Sequence, residues 1–195
     1  MQTKFHFPSP SQAAAEMLIN KDRDIEFRGS YWNIVKGLVL QGQIDIARAL
    51  LKLNSSSETM TFQLTEKELQ TMPIYSPHGG LSIQKFRSQW TFWSSGLMSK
   101  IDSGLFSSEP ELENIMKLIT GDKQAWMQIC RESNCWYEYF AGFLFFTQPA
   151  VRYFELGSFA DNWLSQWATT KGMKSYTGLK SLDRMALAVV KNDMA

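Results

Sequence analysis

Apolar residues recur every three or four positions along residues 31–53, which is the spacing of one face of an α-helix. Gly42 interrupts this run, and the spacing resumes at Ile44. Two short amphipathic helices joined by a glycine turn cannot bury their apolar faces alone, so they require other helices stacked on them. The pattern therefore predicts a helical hairpin inside a larger helical stack. The predicted core of this hairpin consists of Trp32, Val35, Leu38, Val39, Ile46 and Leu50.

Further short helices are predicted wherever clusters of Pro, Gly and Ser separate runs with helical spacing. One of them follows the loop at residues 54–57 and begins either at Met60 or at Thr65, because Thr65 and Glu68 have the spacing of a capping box. We expect about nine helices and no strands. No repeat of fixed length is visible, so the predicted fold class is all-α, an irregular α-helical solenoid segment.

The longest predicted helix, at about residues 81–103, carries an aromatic stripe. The stripe is formed by Phe86, Trp90, Trp93 and Leu97. Such a stripe could be an exposed ridge that binds a partner, although at this spacing it is more often part of a core. In a solenoid the two interpretations overlap, because one edge of the stack often serves as the interface. Both therefore remain open.

The sequence predicts two regions. Residues 1–29 form an irregular N-terminal segment with a short helix at about residues 11–20, because Pro8 and Pro10 disfavour regular structure. Residues 30–195 form the α-helical solenoid segment.

The C-terminal sequence predicts a last short helix and no polar capping repeat after it. Solenoids normally need such a repeat to stay soluble. We therefore expect a truncated fragment of a longer protein. We also expect the isolated chain to self-associate through apolar residues such as Leu187, Val189 and Val190.

Composition and charge narrow the function classes. The chain has 195 residues, of which 44% are hydrophobic, and 20 basic residues nearly balance 19 acidic ones. No concentrated basic face is visible, so nucleic-acid binding is not expected. The most apolar stretch, residues 136–146, is too short to span a bilayer and contains Glu138, so no membrane insertion is expected.

Residues that could carry chemistry are sparse. Two histidines, His6 and His78, and two cysteines, Cys130 and Cys135, do not have the spacing of a metal site. Both cysteines fall in apolar stretches predicted to be helical, where a free cysteine behaves as a small hydrophobe. We therefore predict no metal site and no cofactor.

Three short motifs have simple structural explanations. Residues 82–85 match the S-x-x-K pattern of serine acyl enzymes, but Ser82 more plausibly caps the long helix. Gly79 and Gly80 precede a helix without the other residues of a phosphate loop. The glutamates at positions 109, 111 and 113 favour a helix start. No catalytic residue is predicted, and a small helical enzyme remains only a weak alternative.

Several segments, in order along the chain, resemble the eighty-five-kilodalton scaffold nucleoporin family, whose insect members are called seventy-five-kilodalton nucleoporins. They are residues 31–35, residues 38–43 with Ala47 and Arg48, residues 71–77, Trp90 with Trp93, the LITGD segment at residues 118–122, and residues 181–183. The resemblance covers about residue 30 to the end. It implies an α-helical stack that doubles back on itself, as in vesicle-coat scaffold proteins. The order of the segments favours the nucleoporin over a helical adaptor of a vesicle coat.

The resemblance also implies a role and partners. Members are structural components of the Y-shaped outer-ring complex of the nuclear pore, at the nuclear envelope, and support pore assembly, mRNA export and protein transport. Their partners are protein subunits of that complex, including a small β-propeller to which the N-terminus donates a blade of strands. Residues 1–29 show no convincing strands here. We therefore expect that pairing to be weakened and contacts to run through the helical body.

Overall fold

The computed structural model describes residues 10–20, 27, 29–76, 79–173, 179 and 181–191. All regular elements within these residues are helices, which confirms the predicted all-α class. The α-helices are α1 Pro10–Asn20, α2 Tyr31–Leu40, α3 Ile44–Leu51, α4 Met60–Thr71, α5 Ile83–Asp102, α6 Pro110–Ile119, α7 Lys123–Glu132, α8 Phe140–Thr147, α9 Leu156–Thr170 and α10 Ser181–Lys191. A short 3-10 helix, Tyr153–Glu155, precedes α9.

The predicted hairpin is formed by α2 and α3, which pack against each other. Gly42 joins them with φ +72°, a left-handed conformation that glycine adopts without strain. The amide of Gln43 donates to the carbonyl of Leu38, which closes the turn. Ser30 lies at the N-cap position of α2, but its side chain makes no capping hydrogen bond. The hairpin therefore depends on its glycine turn and its buried face.

Contacts divide the chain into two compact units. Unit 1 comprises Met1–Met72 and Lys100–Ile115, and unit 2 comprises Pro73–Ser99 and Met116–Ala195. In unit 1, α1 packs on both helices of the hairpin, and α4 packs on α3. Gly37 permits the close approach of α1, since a Cβ there would lie 3.0 Å from Cγ of Pro10.

Unit 2 is organised around α9, which packs against both α7 and α10. Its buried residues recur at intervals of three and four, so one face of α9 is turned into the core. The buried residues of α9 are Ala160, Trp163, Leu164, Trp167 and Ala168. A Cβ at Gly157 would lie 3.5 Å from Cγ of Lys191, so the end of α10 passes close to the start of α9.

Two helix boundaries settle or correct predictions. Helix α4 begins at Met60, so the alternative start at Thr65 is wrong. The hydroxyl of Thr65 donates to the carbonyl of Thr61 within the helix. The apolar stretch at residues 136–146 becomes helical only at Phe140, because residues 136–139 form a turn. Pro8 and most of residues 21–29, which belong to the predicted irregular N-terminal segment, lie outside the described residues.

Candidate functional site

The predicted hairpin core is divided between buried and half-buried positions. Val35, Leu38 and Leu50 are fully buried, and Val39 is nearly so. Trp32 and Ile46, the other two predicted core residues, are half-buried. The Trp32 ring lies 6.2 Å from that of Phe62 in α4, and edge-on to that of Tyr31 at 5.0 Å.

A group of charged residues joins α3 to α4 in unit 1. The Arg48 guanidinium donates to both carboxylate oxygens of Glu66, with the shortest contact at 2.7 Å. Lys52 lies 3.1 Å from the same carboxylate, and Asp45 lies 3.1 Å from Arg48. Burial alone would raise the pKa of Glu66, but hydrogen bonds and charge from Arg48 and Lys52 outweigh it, so the pKa is lowered. Glu66 is therefore held ionised at neutral pH.

A second ion pair in unit 1 involves a buried acid. The Glu68 side chain on α4 is almost wholly buried, and Nζ of Lys100 on α5 lies 2.5 Å from its Oε1 atom. Nearby, the hydroxyls of Thr61 and Ser108 lie 2.8 Å apart and join α4 to the loop before α6. A buried carboxylate needs such a partner, because an unpaired buried charge is strongly destabilising.

Most side chains of the aromatic stripe on α5 are buried. Phe86, Trp90 and Leu97 are buried, and Trp93 is half-buried. The rings of Phe86 and Trp90 lie 6.2 Å apart, and those of Trp90 and Trp93 lie 5.3 Å apart. The indole Nε1 of Trp93 is buried without a hydrogen-bond partner in the described part of the chain. The exposed side of α5 carries Phe92, which is 85% exposed.

Four tryptophans in unit 2 join segments that are distant in sequence. Trp126 Nε1 donates to the Leu118 carbonyl, and Trp163 Nε1 donates to the Trp136 carbonyl at 2.5 Å. Trp136 Nε1 in turn donates to the carbonyl of Asp183, which ties the turn before α8 to α10.

Trp167 is the fourth of these tryptophans, and ring stacking adds to the hydrogen bonds. The Trp167 indole donates to the Ser133 hydroxyl at 3.0 Å. The Trp163 ring stacks on that of Phe143 with centroids 4.5 Å apart. Apart from Trp126 and Leu118, which are eight residues apart, these partners are distant in sequence, so hydrophobic spacing does not predict them. The sequence signal is the abundance of tryptophan.

The candidate chemical residues do not converge. The described residues contain no group of His, Cys, Asp and Glu that could hold a metal ion; His6 and His78 lie outside those residues. Cys130 is buried in α7, and burial raises the pKa of its thiol to about 11. The prediction that Cys135 is helical is wrong, since it lies between α7 and α8. Burial also raises the pKa of the Cys135 thiol, so neither thiol is poised for nucleophilic attack.

Short motifs find structural roles. The Ser82 hydroxyl accepts a hydrogen bond from the Lys85 amide at 3.2 Å, as predicted for a helix-capping serine. Asn54, which begins an Asn-Ser-Ser sequence, is buried, and its side chain accepts from the Ser56 amide. Glu111 and Glu113 lie in the first turn of α6. Asp122 caps α7 by accepting from the Ala125 amide at 2.8 Å.

In the part of the chain that the structure describes, each unit has a shallow groove that is open to solvent. The groove of unit 1 is about 330 Å³ and lies between α3 and α4, beside Lys52, Phe62 and Glu66. The groove of unit 2 is about 370 Å³ and lies between the first half of α5 and the connection from α8 to α9. Among the described helices, none is sufficiently long and apolar to cross a bilayer.

Comparison with known proteins identifies a single family. Residues 2–195 match the family model described as Nup85 Nucleoporin. The chain is 37% identical over 191 residues to the nuclear pore complex protein Nup75 of Drosophila melanogaster, which covers 98% of this chain and 28% of the fly protein.

Vertebrate proteins show weaker similarity. The nuclear pore complex protein Nup85 of Danio rerio is 31% identical over 126 residues, covering 63% of this chain and 19% of that protein. The human Nup85 is 25% identical over 168 residues, covering 85% of this chain and 25% of the human protein. The chain thus spans about a quarter of the length of these curated relatives.

Proposed function

The chain belongs to the Nup85 nucleoporin family, and on this premise we propose that it is a structural segment of the nuclear pore complex scaffold. Its helices give shape to the outer ring, and their surfaces hold neighbouring protein subunits. In this way the segment contributes to pore assembly, mRNA export and protein transport. The observation that carries the proposal is the family match over residues 2–195, together with an all-helical fold.

Packed helices suit this role because they fix distances. In unit 1 the hairpin is covered by α1 and α4, and in unit 2 α9 is covered by α7 and α10. Side chains in such close-packed cores transmit force with little compression. Each packed group can therefore hold a partner at a set position.

We propose that the predicted site residues serve packing within this scaffold. Val35, Leu38, Val39 and Leu50 form the hairpin core, with Trp32 and Ile46 at its edge. The stripe on α5 acts as core at Phe86, Trp90 and Leu97. The division between residues 1–29 and 30–195 remains a prediction.

We propose that the chain works without catalysis, as a structural subunit. The relatives are named as nuclear pore complex proteins, which supports a nucleoporin over a vesicle-coat adaptor or a small enzyme. Its partners are then other subunits of the Y-shaped complex. If the small β-propeller of that complex is among them, we propose that the helical body makes the contact.

Localisation in living cells tests the proposal. The fluorescently tagged chain, expressed at low level in Drosophila cells, is expected at the nuclear rim together with pore markers. The control is Leu38→Asp, which places a charge in the hairpin core and is expected to lose the rim signal. A folded wild-type chain spread evenly through the cell, with no pore subunits in its immunoprecipitate, would contradict the proposal.

A further inference from the structure

The loop between α5 and α6 carries an exposed serine that is bonded to a neighbouring helix of unit 1. Ser108 lies in a turn, two residues before the start of α6, and is exposed to solvent. Its hydroxyl lies 2.8 Å from that of Thr61, the second residue of α4. Thr61 is only 6% exposed. An exposed side chain therefore holds this loop against a buried residue of α4.

The residues that follow Ser108 are acidic at alternate positions. Glu109, Glu111 and Glu113 come after it in the sequence, with Pro110 as the first residue of α6. Kinases select their substrates partly by the pattern of charge beside the modified residue. A serine followed by carboxylates therefore suits a kinase whose substrate groove is basic.

The segment around Ser108 can open while the rest of unit 1 stays folded. Phe106 is fully buried and fixes the middle of the loop, so opening is confined to the residues after it. The Ser107 hydroxyl donates to the Gly104 carbonyl, a contact within the loop itself. At the start of α6, the Glu113 amide donates to the Glu109 carbonyl, and the amides before it have no partner inside the helix. Segments with few buried contacts open locally at a low cost in free energy.

We infer that Ser108 is a phosphorylation site for an acid-directed serine kinase, and that the modification releases the loop from α4. The Ser108 oxygen attacks the γ-phosphorus of a nucleoside triphosphate and forms a new O–P bond. The bond from that phosphorus to the bridging oxygen breaks, the nucleoside diphosphate leaves with the electron pair, and the catalytic base of the kinase takes the hydroxyl proton. The inference goes beyond the scaffold role and does not depend on it, because it rests on the loop of unit 1 alone.

The charge of the product explains the release. A phosphoserine carries about −1.5 to −2 charges at neutral pH, and beside carboxylates such a group is repelled. The phosphate on Ser108 stands next to Glu109 and near the glutamates in the first turn of α6. The buried surroundings of Thr61 also disfavour a dianion. Helix N-termini attract anions, but the glutamates of α6 already occupy that position, so repulsion and desolvation outweigh the attraction.

Phosphorylation of the full chain in vitro tests the site. The chain is incubated with ATP, Mg²⁺ and a purified serine kinase that modifies a Ser-Glu-Glu-Glu peptide but not a Ser-Lys-Lys-Lys peptide, and tandem mass spectrometry locates the phosphate. We expect phosphate at Ser108. Ser108→Ala should abolish it, whereas the matched control Ser107→Ala removes the neighbouring exposed hydroxyl and should leave it in place. Glu111→Gln should slow the reaction about tenfold, because it removes a charge that the kinase recognises.

Hydrogen exchange on the same samples tests the release. In the phosphorylated chain, the amides of residues 63–66 in the first half of α4 should exchange about fivefold faster than in the unmodified chain. Ser108→Ala removes the hydrogen bond to Thr61 without adding charge, so its exchange should lie between the two. Circular dichroism should stay the same in all three samples, which shows that the change is local.

Several outcomes would overturn the inference. The full chain could stay unmodified while a peptide of residues 103–116 is phosphorylated, which would show that the fold withholds Ser108 from the kinase. Phosphate could be found only on residues other than Ser108. Exchange of residues 63–66 could become slower after phosphorylation, which would show that the helix ends hold the phosphate in place. Nuclear-rim localisation does not enter these tests, so failure here leaves the scaffold role intact.

Discussion

Among the described residues, the side-chain bonds between helices are mainly ionic in unit 1, whereas in unit 2 they come mainly from tryptophans, beside one ion pair of Lys191 with Asp161. In unit 1, Arg48 bridges α3 to Glu66 on α4, and Lys100 on α5 reaches the buried Glu68. In unit 2, the indoles of Trp126, Trp136, Trp163 and Trp167 each donate a hydrogen bond outside their own segment. One chain therefore uses two different means of fixing one helix against another.

The two kinds of contact differ in how much a single residue contributes to the free energy of unfolding. A partly exposed ion pair such as that of Arg48 with Glu66 contributes little net free energy, because the charges are also well solvated when apart. A buried indole contributes its large apolar surface as well as a hydrogen bond. Single substitutions should therefore cost more in unit 2 than in unit 1.

The largest effect is expected for Trp163→Ala in unit 2. The substitution removes a fully buried ring, its stacking on Phe143 and the donor to the Trp136 carbonyl. The free energy of unfolding should fall by about 3–5 kcal/mol. Urea denaturation followed by tryptophan fluorescence and by circular dichroism measures this loss.

Trp163→Phe is the matched control. It keeps an aromatic ring beside Phe143 but leaves the Trp136 carbonyl without its donor, so a loss of about 1–3 kcal/mol is expected. If the Phe and Ala variants were equally unstable, the hydrogen bond and not the ring would dominate, and the emphasis on buried surface would be wrong.

The next effect is expected for Lys100→Met in unit 1. It leaves the Glu68 carboxylate buried without its cation. We expect a loss of about 1–3 kcal/mol, because Lys100 is partly exposed and water can replace some of its contact. Chemical denaturation at neutral pH gives the value.

A double variant sharpens this result. Glu68→Leu combined with Lys100→Met replaces the pair by apolar groups, which is often neutral or stabilising for buried pairs. The double variant should therefore be more stable than Lys100→Met alone. Equal or lower stability would mean that the carboxylate has another essential partner.

A smaller effect is expected for Trp32→Ala. Its ring is half-buried against Tyr31 and Phe62, in contrast to the fully buried Trp163. We expect a loss of about 1–2 kcal/mol. A loss as large as that of Trp163→Ala would contradict the claim that single substitutions cost more stability in unit 2 than in unit 1.

The smallest effect is expected for Glu66→Gln, and it should depend on pH. The folded chain lowers the pKa of Glu66, so this group stabilises the fold above its unfolded pKa, and the contribution is lost as pH falls through the lower folded pKa. At neutral pH the variant should lose about 1 kcal/mol or less. Thermal unfolding of both chains across the acid range should show the difference shrinking toward low pH; a constant difference would contradict it.

Local patterns predicted the helices but not their partners. The hairpin could be predicted from the apolar spacing on both sides of Gly42, because the buried face of an amphipathic helix appears in sequence as apolar residues every three or four positions. The pair Thr65 and Glu68 left two starts open for α4, at Met60 and at Thr65, since a capping box and a mid-helix pair share one spacing. In the structure Glu68 bonds Lys100, 32 residues further along the chain, which local spacing does not reveal.

The groove of unit 2 shows the same limit. Arg87 looks like an isolated surface charge in sequence, but the fold places its guanidinium 3.2 Å from the Ala150 carbonyl at this groove, 63 residues along the chain. Trp163 likewise gives no sign of its bond to the Trp136 carbonyl, 27 residues away. Such tertiary pairs follow from the stacking of helices, which periodicity within one helix does not specify.

Hydrogen exchange tests most directly whether packing, and not local helix formation, stabilises these helices. Helix α5 has 20 residues but buries only Phe86, Trp90 and Leu97, whereas α2 has 10 residues and buries six. Length alone favours α5, since longer helices are more stable in isolation. We predict slower amide exchange in α2 than in the middle of α5. Slower exchange in α5 would contradict the claim that stacked apolar faces hold this fold together.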